Sequence, residues 1–78
     1  MEQKVLEIIN GIRVTKNLEP VAELKPETRL REDLALTSFD LAELTVKIED
    51  EFDIEIPDED AERFLTIRDM VEYLEKTV

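Results

Sequence analysis

Ser38 is the side chain here whose type and place suit covalent chemistry. It follows Thr37 and precedes Phe39 and Asp40, where an irregular stretch gives way to a helical pattern. A hydroxyl at a helix start is commonly structural, a cap for amide groups that lack a partner. As a hydrolytic nucleophile Ser38 fails, because the chain has no histidine to activate it. As a point of covalent attachment it suits, being accessible after a long loop. Asp40 and Glu43 follow at +2 and +5, near enough to meet a basic modifying enzyme.

The second candidate is the run of acids behind Ser38. Between Ser38 and Arg63 stand eleven carboxylates, with Lys47 and Arg63 as the only bases, so this segment holds most of the chain's net charge of −11. Such a run is ordinarily a solvated face. Like charges at this density repel and cost stability, however, and solubility needs fewer of them. The concentration points to electrostatic docking against Lys and Arg. A calcium loop over Asp50–Asp58 is rejected: there is no glycine for the sharp turn, and Pro57 stiffens the wrong place. Paired carboxylates could run glycosidic chemistry, but that needs a cleft and separated environments. A chain of 78 residues seldom supplies them.

Composition narrows the choice further. Cysteine, histidine and tryptophan are absent. This excludes disulfides, thiolate metal sites, a cysteine nucleophile and the usual general base near neutral pH. No metal ligand set is assigned. An excess of 21 acids over 10 bases disfavours nucleic acid and anionic membrane surfaces. No apolar run approaches a membrane span, and Glu7 and Asn10 interrupt the apolar residues near the N-terminus. The expectation is a soluble cytoplasmic monomer, one domain over residues 1–78.

The elements that must position these groups are helical. One glycine and three prolines suit few tight turns. Val5, Leu6, Ile9 and Ile12 predict a helix over about 2–16, with Gly11 inside it to permit close packing. Residues 17–37 break the period at Asn17, Pro20 and Pro26. Leu18, Val21, Leu24, Leu30, Leu34 and Leu36 should pin this loop to the core, with one short turn of helix in it. A second helix starts at Thr37 or Ser38, where Thr37 and Asp40 have capping-box spacing, and ends near Phe52. Leu41, Leu44, Ile48 and Phe52 form its core face. Phe39, Ala42 and Val46 form an offset stripe, which either widens the core face or is an exposed docking strip. Ile54–Pro57 should be extended, Asp58–Phe64 a short helix of about two turns, and Ile67 to about Lys76 a last helix capped by Thr66 with Asp69. The fold class is all-α: a bundle of three main helices plus one short helix, with a long loop between the first and second.

The residues Glu32-Asp33-Leu34-Ala35-Leu36-Thr37-Ser38-Phe39-Asp40-Leu41, then Glu43-Leu44, Ile48 through Glu62 and Leu65-Thr66-Ile67, resemble the acyl carrier proteins, the phosphopantetheine-bearing carriers. The similarity is good over residues 30–75; the first helix fits by pattern alone. The run Phe52-Asp53-Ile54-Glu55-Ile56-Pro57-Asp58-Glu59 is its most specific part. The resemblance implies a covalent phosphopantetheine on Ser38. It implies a docking helix that presents Phe39, Asp40, Glu43, Val46, Glu49, Asp50 and Glu51 to enzymes with basic patches. It implies an acyl pocket at Ile48, Ile56, Ala61, Phe64 and Met70, which the sequence alone reads as core. The partners implied are a phosphopantetheinyl transferase and acyl- or aminoacyl-transferring enzymes. Three departures point to a specialised member: Thr37 stands for the family's Asp, Phe39 for its Leu, and Ala35-Leu36 for a pair that opens with Gly.

Two readings compete. The chain is a carrier of acyl or aminoacyl groups as thioesters and not itself an enzyme, or it is an unmodified acidic helical module that binds a basic partner. With no cysteine, the only thiol of a carrier would be on the arm. Tethering then keeps the cargo at high effective concentration beside a docked active site.

Overall fold

Four helices order the chain: α1 (Glu2–Thr15), α2 (Ser38–Phe52), α3 (Asp58–Ala61) and α4 (Ile67–Thr77). The structure is a computed structural model and describes residues 2–77. Among these residues the only extended pairing is one isolated antiparallel bridge, Arg29 with Thr66. The all-α architecture of three longer helices and one short one is as the sequence predicts.

Val5, Ile9 and Ile12 of α1 are buried, and Leu6 is half-buried. Just past the helix end Asn17 takes the left-handed conformation, φ 64°. The Leu18 amide then donates to the Arg13 carbonyl at 2.9 Å and the Asn17 amide to Val14 at 3.0 Å. These bonds satisfy carbonyls that a helix end leaves open, and asparagine tolerates the required φ. Gly11 overturns an expectation. It is exposed, and a Cβ placed on it would meet nothing within 4 Å. It therefore permits no close packing; it lies over an open groove between α1 and α2.

The long loop is well anchored. Leu30, Leu34 and Leu36 are core residues, and Val21 and Leu24 pack at the core's edge. Asn10 clamps the loop from α1: its Nδ2 donates to the Val21 carbonyl at 3.0 Å and its Oδ1 accepts the Val21 amide at 2.8 Å. One isolated turn follows, in which the Arg29 carbonyl accepts the Asp33 and Leu34 amides at 3.0 and 3.2 Å. The Asp33 carboxylate accepts the Arg29 amide at 2.8 Å. That bond, with the Arg29 guanidinium, holds the Asp33 carboxyl below the usual carboxylate range.

The core gathers one face of each long helix. Leu44 and Ile48 come from α2, and Ile67, Met70, Val71 and Leu74 from α4. α2 ends at Asp53, in the left-handed conformation with φ 54°. The Asp53 and Ile54 amides both return to the Glu49 carbonyl. α3 is shorter than the two turns predicted. Pro57 offers it no side-chain cap, and from Glu62 onward the chain tightens: Arg63 donates to Asp60 at 3.1 Å and Phe64 to Ala61 at 3.2 Å. This turn delivers Phe64 into the core, edge-on to Tyr73 with ring centroids 5.3 Å apart. Tyr73 also donates to the Asp60 carboxylate at 3.0 Å, a tie between α3 and α4. Partial burial, with Asp60 beside it, pushes the Tyr73 hydroxyl above its ordinary pKa.

Candidate functional site

Thr37 caps α2. Its backbone is extended, φ −85° and ψ 174°, and its Oγ1 accepts the Asp40 amide at 3.2 Å. The Asp40 carboxylate reaches back to accept the Thr37 amide at 2.8 Å and the Thr37 hydroxyl at 3.0 Å. This is the reciprocal box that the Thr-x-x-Asp spacing predicts. Ser38 is the first helical residue after it and is exposed.

α4 begins with the same device. Thr66 Oγ1 accepts the Asp69 amide at 3.3 Å, and the Asp69 carboxylate accepts the Thr66 amide at 3.1 Å. The two starts differ in what lies over them. The Ile67 and Arg68 amides of α4 donate to the loop carbonyls of Thr28 and Pro26, both at 2.9 Å. The equivalent amides of α2, Ser38 and Phe39, have no acceptor among the described residues. One helix start is roofed by the loop, and the other leaves two N–H donors beside an exposed hydroxyl. Such donors, at the positive end of a helix, favour an anion.

Asp40 is held from a second side. Lys16, just past α1, pairs with its carboxylate and donates from the same ammonium to the Ala35 carbonyl at 2.7 Å. The hydrogen bond from Lys16, together with the Thr37 amide, keeps the Asp40 carboxyl below the usual range. Ala35 has φ 57°, a left-handed position that glycine would occupy more cheaply. Lys16 carried no functional signal in the sequence. A cation at a helix C-terminus reads as a partner for the helix dipole, and its acid lies 24 residues away.

The proposed docking residues divide into two sets. Phe39 is 83% exposed and Val46 56%. Glu43, Asp50 and Glu51 are exposed, with Lys47 at 4.0 Å from Glu43. The offset stripe of α2 is thus a solvent-facing strip and does not widen the core. Asp40 and Glu49 are occupied elsewhere. Glu49 is half-buried, and its Oε2 accepts the Ile56 amide at 2.7 Å, so it fastens the extended segment after α2. Among the described residues no three carboxylates gather in a way that would hold a metal ion.

Ile48, Ile56, Phe64 and Met70 are buried in one core cluster, and Ala61 packs against it. The structure brings these five together as packed core. Two surface hollows lie elsewhere. One, of about 510 Å³, runs between α1 and α2 past Glu7, Gly11, Glu43 and Lys47. The other, of about 180 Å³, lies between the loop and α4 at Leu24, Pro26 and Val71.

A family model described as a phosphopantetheine attachment site matches residues 3–74. An acyl carrier protein of Chlorobium phaeobacteroides is 37% identical over 75 residues, covering 96% of each chain. One of Syntrophobacter fumaroxidans is 40% identical over 77 residues, covering 97% of this chain and 89% of its own. One of Helicobacter hepaticus reaches 51% over 53 residues, covering 68% of this chain and 70% of its own. With a family match across nearly the whole chain and relatives aligned end to end, this chain belongs to the acyl carrier protein family, the carriers with a phosphopantetheine attachment site.

Proposed function

We propose that this protein carries acyl groups as thioesters on a phosphopantetheine arm joined to Ser38 Oγ, and that it presents them to enzymes that dock on the open face of α2. Family membership makes it a carrier with a covalent arm and not an enzyme. The observation that supports Ser38 is the uncovered start of α2: an exposed hydroxyl next to two amides without acceptors, where the matching start of α4 is roofed.

The residues present fit such a group. A phosphodiester is an anion, and the Ser38 and Phe39 amides at the head of a 15-residue helix are donors for it. Thr37 and Asp40 keep the helix start formed without spending those two amides. When bound, the arm supplies a thiol, and a thioester on it activates the acyl carbonyl for attack. In attachment, Ser38 Oγ bonds to the phosphorus of coenzyme A, and its proton passes to a base of the transferase. The anhydride P–O bond breaks, and the adenosine bisphosphate leaves. No oxidant or metal bound by this chain is required.

Docking falls to Phe39, Val46, Glu43, Asp50 and Glu51, which are exposed. An apolar strip flanked by carboxylates suits a partner with an apolar contact ringed by Lys and Arg. Screened surface charge steers such encounters and lets them reverse, as a carrier that visits several enzymes needs. The acyl chain would enter among Ile48, Ile56, Ala61, Phe64 and Met70 as α3 swings from the core. α3 is four residues long, buries no residue fully and lacks a side-chain cap, and its side-chain tie to α4 is the Tyr73–Asp60 bond. The working form is taken to be a single chain in the cytoplasm, to be tested by sedimentation and fractionation.

The deciding experiment is intact mass after incubation with coenzyme A and a broad-specificity phosphopantetheinyl transferase. One arm should add to the parent chain and none to Ser38→Ala. A parent that stays unmodified, or a Ser38→Ala variant that still gains the arm, refutes the assignment. It would return the chain to the reading of an unmodified acidic module.

A further inference from the structure

We propose that Lys16 is a positioning residue for group transfer at Ser38: it fixes the segment that carries the hydroxyl from a third element, the end of α1. The proposal rests on Ser38 being the attachment point.

Ser38 lies on a stretch with few holds of its own. Ala35, Thr37, Ser38 and Phe39 are exposed, and only Leu36 is sunk in the core. The holds come from α1. Arg13 donates from its guanidinium to the Leu34 carbonyl and, through Nε, to the Glu19 carbonyl at 3.0 Å. Lys16 donates to the next carbonyl, Ala35, and pairs with the carboxylate of Asp40. The Lys16 ammonium thereby bridges a point three residues before Ser38 and a point two residues after it. Its own base is firm, because the left-handed Asn17 closes α1 immediately behind it. The side chains of Lys16 and Asp40 are 29% and 14% exposed, so solvent screens this pair less than the surface pairs elsewhere, such as Lys4 with Glu7.

Helix formation does not account for this bridge. Thr37 and Asp40 complete the capping box between themselves, and it would stand without Lys16. What Lys16 adds is placement of the box, and of the hydroxyl beside it, relative to the rest of the molecule. In-line phosphoryl transfer needs the attacking oxygen, the phosphorus and the leaving oxygen in register. It also explains why Asp40, read in the sequence as a docking acid, is turned away from solvent: its charge is matched within the chain, beside the point an anionic donor must approach.

The test uses the full chain, coenzyme A and a broad-specificity phosphopantetheinyl transferase, with arm addition followed by intact mass over a range of carrier concentrations. Lys16→Met should lower kcat about fivefold to tenfold with KM within about twofold of the parent, the signature of lost orientation. Lys16→Arg, which can donate to both acceptors, should keep at least about half of the parent kcat. A Lys16→Met kcat within about twofold of the parent, a loss confined to KM, or a Lys16→Arg variant as slow as Lys16→Met overturns the proposal. If Lys16→Met is unfolded at the assay temperature, Asp40→Asn replaces it. That change keeps an oxygen for the Thr37 amide but breaks the ion pair, and an unaltered kcat again overturns the proposal. Failure of the underlying reading looks different: the parent chain itself then gains no arm, or gains it away from Ser38.

Discussion

Two substitutions on α2, nine residues apart, should have opposite consequences. Ile48 is 1% exposed in the core, and Phe39 is 83% exposed. Truncating a buried isoleucine to alanine costs about 3 kcal/mol. Unfolding 78 residues carries an entropy near 0.16 kcal/mol/K, so each kcal/mol moves the midpoint by about 6 °C. Ile48→Ala should therefore melt roughly 18 °C below the parent, from a total stability of about 4–12 kcal/mol. Phe39→Ala removes almost no buried surface and should stay within about 3 °C. If the strip docks as proposed, its cost should appear there, where burying such a ring contributes about 1–2 kcal/mol, and the KM for a partner enzyme should rise about 5–30-fold. Circular dichroism melts and transferase kinetics on the same preparations read both quantities. A Phe39→Ala variant that melts more than about 6 °C low, or one with unchanged KM for every enzyme that handles the carrier, would contradict the reading of two distinct stripes.

Other tests follow from the same geometry. Gly11→Ala should raise the melting midpoint by about 6 °C, since the new methyl meets open space and the helix gains about 1 kcal/mol; a lowered midpoint would show that the groove beside it is in use. Asp40 and Asp33 titrate below their unfolded values, so the folded state binds fewer protons there; the stability they contribute is present above about pH 4 and is lost as the pH falls through their folded values. Urea midpoints between pH 6 and 2.5 should thus fall less steeply for Asp40→Asn than for the parent, and parallel curves would show that Asp40 contributes nothing. Added salt or millimolar divalent cation should raise the midpoint by screening the acids from Ser38 to Arg63, although it also weakens the Lys16–Asp40 pair; a flat or falling series would show the repulsion to be unimportant.

What could be read from the chain was local. The two Thr-x-x-Asp boxes, the extended stretch before Pro57 and the 3.6-residue stripes depend on neighbours within one or two turns, and each appears where its residues put it. The site's long-range holds were not legible. Lys16 with Asp40, Glu49 with the Ile56 amide and the loop carbonyls over α4 join groups whose spacing has no period to detect. Gly11 misled because a glycine inside an amphipathic pattern looks the same whether it faces a neighbouring helix or a groove. α3 fell short because the chain tightens at Arg63 and Phe64 to sink the Phe64 ring, a demand of the core that propensity does not carry. Ser38 was visible as a helix-start hydroxyl, but only the fold shows that the amides beside it are uncovered.

The roof over α4 decides what the head of that helix can offer. Ile67 occupies, in its own helix, the place Ser38 has in α2, and it is 3% exposed beneath the carbonyls of Thr28 and Pro26. An Ile67→Ser graft would copy the short signature Thr-Ser at a second helix start, yet leave the new oxygen sealed from any modifying enzyme. The long connection between α1 and α2 is thus also a cover that seals Ile67 and takes up the first two amides of α4.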